Sequence, residues 1–275
     1  MRSAAPFVYA VLWSAQTVFT KLYVTRQRRS ALQVFGSVAA AEITKTVANA
    51  AVCGWSAESL RARLPVCAAC AVACASLTYP TLAVIPLAAY MPLLGVQLVI
   101  RQALGFAARG GAPTTRRAVG ATLGCVAALV VAPTLPRWPV VAAAAQAFLV
   151  CFAEALDDDG EGVTCDPVAA ASSTAWTASL LAAGAAAADP RAAALTVVAP
   201  TQPYAAATVA LMAAAGVARG VAASESAWPG TTAAAEAVLL AVGGGLFLGE
   251  AVTVRQVVAG ALAVAGAYLC SPQGS

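Results

Sequence analysis

Ten apolar runs, each about the length of a membrane-crossing helix, follow one another with only short polar links between them. They fall at about 5–24, 31–54, 64–79, 82–106, 118–135, 138–156, 167–188, 192–219, 230–248 and 252–271. Crossing roughly 30 Å of hydrocarbon takes about 20 helical residues. Ten such runs therefore use up a chain of 275 residues and leave no room for a soluble catalytic domain. The charge content agrees: 10% of the residues are charged and 61% are hydrophobic, against about 25% charged in an ordinary soluble domain. Within the runs alanine and valine follow one another without the apolar/polar alternation of a barrel strand. A helix satisfies its own backbone hydrogen bonds in lipid and is the spanning solution that remains. The expected fold is all-α, a polytopic membrane bundle of ten transmembrane helices.

The links give the boundaries. The first run follows a lone Arg2, lacks a small-residue cleavage site and ends at "TRQRR", which makes it a first helix rather than a signal peptide. Pro80, in "LTYPT", is expected to form a tight link between the third and fourth spans, and Pro86 and Pro92 to kink the fourth. Thr114, Arg116, Gly120 and Gly124 before and in the fifth span are echoed by Thr253, Arg255, Gly260 and Gly266 around the tenth. That echo divides the chain into two five-helix halves, 1–136 and 137–275, together one transporter domain, as internal repeats commonly do in transporters. Gly120 with Gly124, and Gly245 with Gly249 in "GGGLFLGE", have the four-residue spacing of close helix packing. Basic residues are shared almost evenly between the two sets of loops, so charge bias favours neither orientation.

Several chemistries are excluded early. The chain has no histidine, which removes the commonest general base and the usual ligand of catalytic zinc. The run "CAACAVAC" contains CxxC, but no second CxxC or histidine completes a metal site. The eight cysteines lie mostly in or beside apolar runs and read as small packing residues. The net charge of +4 is spread over loops rather than gathered on one face, which argues against nucleic-acid binding. No enzyme activity, cofactor or metal is expected.

The informative residues are the polar ones inside apolar runs. Glu42, Lys45 and Asn49 share one face of the second span. A charge at mid-membrane costs on the order of 2.5–3.5 kcal/mol, so that face should turn toward protein or trapped water. As a substrate cavity wall, Lys45 would offer a cation to an anionic solute and Glu42 would set its position. Tyr9, Gln16 and Lys21 of the first span, Tyr90, Gln97 and Arg101 of the fourth, and Gln202 and Tyr204 of the eighth would converge on the cavity if their helices meet. Glu154 and Glu236 are further acids in apolar runs. A purely structural ion pair is the competing account of Glu42 and Lys45, and an apolar pair would do that job at lower cost.

The stretch "GGGLFLGEAVTVRQVVAGALAVAGAYL" resembles the closing helix pair of the drug/metabolite transporter superfamily. "TVFTKLYVTRQRR" followed by "AAAEITKTVANAA", with Glu-x-x-Lys at Glu42 and Lys45, is similar to the opening of the nucleotide-sugar transporters, and "YPTLAVIPLAAYMPLLGVQLVIRQAL" to their third-to-fourth region. The resemblance implies ten helices in two inverted halves, a Golgi or endoplasmic reticulum membrane, and exchange of a nucleotide sugar for a nucleoside monophosphate. It carries over Glu42 and Lys45 as site residues and puts Tyr90 where the family has a cavity tyrosine; with the polar residues read above, the candidate substrate-facing set is Lys45, Glu42, Asn49, Tyr90, Gln97, Gln16, Tyr204 and Glu236. The partners are then the nucleotide sugar, the nucleoside monophosphate, membrane lipid and, in a homo-oligomer, a second copy of the chain. Gln97 and Asp157 stand where these transporters often carry lysines. Those two departures favour the alternative within the superfamily, a broader-specificity small-metabolite exporter.

Overall fold

The computed structural model describes residues 5–26, 73, 77–78, 80–109, 113–157, 203–222 and 228–271. Among the described residues every regular element is helical, in keeping with the expected all-α class. The described helices are α1 (Ala5–Arg26), α2 (Leu87–Leu94), α3 (Gln97–Arg109), α4 (Thr115–Val131), α5 (Arg137–Asp157), α6 (Pro203–Ala222), α7 (Trp228–Gly243) and α8 (Val254–Cys270). Two helical stretches, Leu87–Ala107 and Thr115–Thr134, are long and apolar enough to cross a membrane. The second and seventh spans, most of the third and the start of the eighth lie outside the described residues.

Local chemistry accounts for the element ends. Thr114 caps α4 by accepting from the Arg117 N–H, and Thr253 and Gln256 form a reciprocal capping box at the start of α8. The matched threonine caps are one part of the proposed internal echo with a direct structural role. The expected fourth span is divided: Pro92 lies inside α2, and a turn at Gly95–Val96 hands the chain on to α3, with the Gly95 N–H bonded to the Pro92 carbonyl at 3.1 Å. The link expected at Pro80 lies elsewhere. Residues 80–84 are helical, and the chain leaves the helix at Ile85 and Pro86. Pro86 is extended (φ −58°, ψ 141°) and directly precedes α2. A proline disfavours the helical conformation in the residue before it, and here that residue is Ile85, ahead of Pro86.

α2 is the central helix and packs against α4, α5, α7 and α8. α1 runs against α6 and α7, α3 against α4 and α5, and α4 lies along α8. The buried cluster between them joins Val18 and Leu22 of α1, Ile85, Leu87, Tyr90 and Leu93 of the central segment, Ala143 of α5 and Leu240 of α7. Large apolar side chains also cover the outside: Leu129 is 69% exposed, Val141 67%, Val238 62% and Val254 80%.

Glycines allow the closest approaches. A Cβ at Gly120 would lie 2.7 Å from the Gly266 carbonyl oxygen, and one at Gly95 would lie 2.6 Å from the Gly124 carbonyl oxygen. The expected packing role of Gly120 and Gly124 therefore holds at the contact of α4 with α8 and with the α2–α3 turn. Gly245 and Gly249 do not form the packing pair their spacing suggests. Gly245 has ordinary space around it, and Gly249 is left-handed (φ 70°) with open space at its Cβ position. Gly260, the other member of the echo, also faces open space.

Candidate functional site

α1 carries an unusual load of buried polar side chains for an apolar helix: Ser14, Gln16, Thr17, Thr20 and Lys21 are all buried. Three of them make hydrogen bonds within the helix. Gln16 Nε2 donates to Thr20 Oγ1 at 2.9 Å, Thr20 Oγ1 donates to the Gln16 carbonyl at 2.8 Å, and Thr17 Oγ1 donates to the Trp13 carbonyl at 2.9 Å. Lys21 has no such local partner in its own helix. Its ammonium pairs with the Glu250 carboxylate at 2.5 Å, with side chains 6% and 17% exposed respectively.

The pair fills the break before α2. In an unbroken helix the Ile85 carbonyl would accept from the Ala89 N–H four residues on. Here the Ala89 N–H bonds instead to the Pro86 carbonyl at 2.9 Å. The freed Ile85 carbonyl accepts from Lys21 Nζ. On the other side of the break the Leu87 N–H, an orphan donor of the first turn, donates to Glu250 Oε2 at 2.7 Å. A cation thus sits on the carbonyl end of the broken segment and an anion on its N–H end, the polarity that the helix dipole favours. Discontinuous helices of this kind form the ion and substrate sites of many secondary transporters.

"GGGLFLGE" is the segment that delivers Glu250. α7 ends in a π-helical turn, Gly244–Leu248, closed by left-handed Gly249, whose φ of 70° suits glycine. The Glu250 N–H then bonds back to the Gly244 carbonyl at 3.0 Å. A Cβ at Gly243 would lie 2.6 Å from Val18 Cγ2, and one at Gly244 would lie 2.6 Å from Glu250 Oε2. These two glycines therefore admit α1 and the carboxylate respectively.

Of the residues singled out in the sequence, Glu42, Lys45 and Asn49 lie outside the described residues, as does Gln202. Tyr90 is buried, and its hydroxyl accepts from Gln146 Nε2 of α5 at 2.7 Å. Tyr204, half-buried on α6, sets its ring 6.5 Å from that of Phe19. Tyr90 belongs to the central buried cluster and Tyr204 packs on its edge. Gln16 joins the buried stripe of α1. Gln97 opens α3, and its carbonyl lies 3.6 Å from Cys151 Sγ. Glu236 is half-buried on α7, and Arg101 is on an exposed face of α3. Tyr9 stacks on Trp13 within α1. Glu154 falls in the last turns of α5.

Glu250, Gln146 and Ser14 are among the polar residues that the sequence did not single out as candidates. Glu250 could have been found as a lone acid directly after a glycine-rich apolar run, and Gln146 as a lone amide within "VVAAAAQAFLV". Four buried atoms have no hydrogen-bond partner among the described residues: Ser14 Oγ, Gln16 Oε1, Thr81 Oγ1 and Gln146 Oε1. Buried polar atoms of this kind are normally satisfied. No group of three or more metal-ligating side chains occurs among the described residues.

No family model matches the sequence, and no curated protein matches it. A solved crystal structure is similar in fold, with a TM-score of 0.60 over 98% of this chain and 98% of that one, at 17% sequence identity.

Proposed function

We propose that the chain is a multi-pass membrane antiporter that exchanges a nucleotide sugar for a nucleoside monophosphate by alternating access. The observation that carries this reading is the buried Lys21–Glu250 pair lodged in the broken helix, because a discontinuous helix with charge at its two ends is how secondary transporters build a binding site. The outer surface supports it. Leu129, Val141, Val238 and Val254 stand exposed on different helices, an exterior suited to lipid and costly in water. The ten-helix bundle and the Golgi or endoplasmic reticulum location belong to the same proposal.

The packing favours two halves related by pseudo-symmetry, 1–136 and 137–275. α1 against α7 is matched by α5 against α2, and α3 against α4 by α7 against α8. In the proposed cycle the halves rock about the contact of α4 with α8. Lys45 and Glu42 contribute charge to the site from the second span, with Asn49, Gln16, Tyr90, Gln97, Tyr204 and Glu236 contributing polar groups. No covalent step is involved. A broader-specificity metabolite exporter is the second reading, favoured by Gln97 and Asp157 in place of lysines.

Counterflow separates the two. Protein reconstituted in liposomes preloaded with UMP, CMP or GMP is expected to take up the labelled UDP-, CMP- or GDP-sugar of the matching base, and Lys45→Ala to abolish that uptake. Uptake indifferent to every preloaded nucleotide would overturn the antiporter reading in favour of the exporter.

A further inference from the structure

Lys21 and Glu250 are more than a lock between helices. The two charges are unequally held. Lys21 is almost fully enclosed, whereas Glu250 is the more exposed partner and is carried on a link whose neighbours Gly249, Ala251, Val252, Thr253 and Val254 are all exposed. Little packs over that link, and left-handed Gly249 sets its direction. Of the two members of the pair, Glu250 is therefore the one that can withdraw without opening the core. If it does, a buried ammonium and the free Leu87 N–H remain, both seeking a negative charge.

A second observation extends this pocket. Ser14 and Lys21 are seven residues apart, so they lie on one face of α1, about 10 Å apart along its axis. Ser14 Oγ has no hydrogen-bond partner among the described residues, although Ser14 is 2% exposed. This buried face of α1 thus offers a cation at one end and an unused hydroxyl at the other.

We propose that this face binds the nucleoside monophosphate, with its phosphate on Lys21 and the Leu87 N–H and its ribose or base on Ser14, and that Glu250 is an internal anion that holds the phosphate position when the ligand is absent. The inference rests on the antiporter reading and names the part of the molecule that reads the phosphate. Ligand entry displaces Glu250, and ligand exit lets it return. The buried cation is compensated at both stages, and no uncompensated charge crosses the core.

The test is thermal unfolding of the detergent-solubilised full chain, titrated with UMP, inorganic phosphate and uridine. In Glu250→Gln the amide oxygen still accepts from the Leu87 N–H while the competing charge is gone. Half-maximal stabilisation by UMP is expected at roughly tenfold lower concentration than in the unaltered protein, one decade corresponding to about 1.4 kcal/mol. The paired variant Lys21→Met with Glu250→Leu keeps the interior neutral. It is expected to lose the responses to UMP and phosphate while keeping that to uridine. Ser14→Ala is expected to weaken UMP and uridine and leave phosphate unchanged.

An unchanged or weaker UMP response in Glu250→Gln overturns the proposal. Should that variant fail to fold, an intact UMP response in the paired variant overturns it equally. If UMP stabilises the protein as described but counterflow is absent, the antiporter reading fails and the site stands. Counterflow that survives intact in the paired variant has the opposite meaning.

Discussion

Lys21→Met alone is expected to lower stability by about 3–5 kcal/mol, because it strands a carboxylate that is only 17% exposed and removes the donor that satisfies the Ile85 carbonyl. That loss is roughly two to four decades in the folding equilibrium, large enough to appear as poor membrane insertion or a sharply lowered Tm. Adding Glu250→Leu to the same protein is expected to recover most of it. A buried ion pair replaced whole by apolar groups is often neutral in stability, whereas removing one partner is not. The Leu87 N–H would lose its acceptor, so recovery should stop short of complete by about 1 kcal/mol. The check is a double-mutant cycle on Tm. Additive single effects would mean that the two charges do not depend on each other.

The second large effect is steric. Gly124→Leu is expected to disrupt the junction of α4 with α8 and with the α2–α3 turn, because the first added carbon already meets backbone at Gly95 and lies 2.9 Å from Leu98 Cδ1. Backbone cannot rotate away as a side chain can. The cost should therefore reach or exceed the roughly 1–3 kcal/mol typical of overpacked cores. Gly260→Leu is the control on α8, with nothing within 4 Å of its Cβ position, and is expected to leave Tm within about 0.5 kcal/mol equivalent of the parent. Equal losses in the two variants would contradict the packing described for α4 and α8.

Much of the helical framework was legible in the sequence, because long apolar runs between polar links have few other outcomes. The expected run at 138–156 corresponds to α5, Arg137–Asp157, and the run at 252–271 to α8, Val254–Cys270. The break in the fourth span was only partly legible. Pro80, Pro86 and Pro92 all carry the same local preference, and it is packing around Lys21 and Glu250 that selects Ile85–Pro86 as the place where the helix opens. The ion pair itself was hidden because its members lie at opposite ends of the chain. Lys21 was noticeable as a lone charge, whereas Glu250 read as part of a turn. Spacing likewise misassigned Gly245 and Gly249. A four-residue interval says that two glycines share a helical face, and here the second one ends the helix instead. Glu42, Lys45 and Asn49 lie outside the described residues, and their role rests on solution experiments.

The central claim is that the buried charges of the membrane helices line a hollow that solutes reach between two halves of the chain. Cysteine at position 45, in a background whose native cysteines are replaced by serine or alanine, tests it most directly with a membrane-impermeant thiol reagent applied to sealed vesicles. The account predicts that Lys45→Cys is labelled and that UMP slows the labelling severalfold. A cysteine there that stays unlabelled from both sides of the membrane, or that is labelled at the same rate with and without nucleotide, would contradict it.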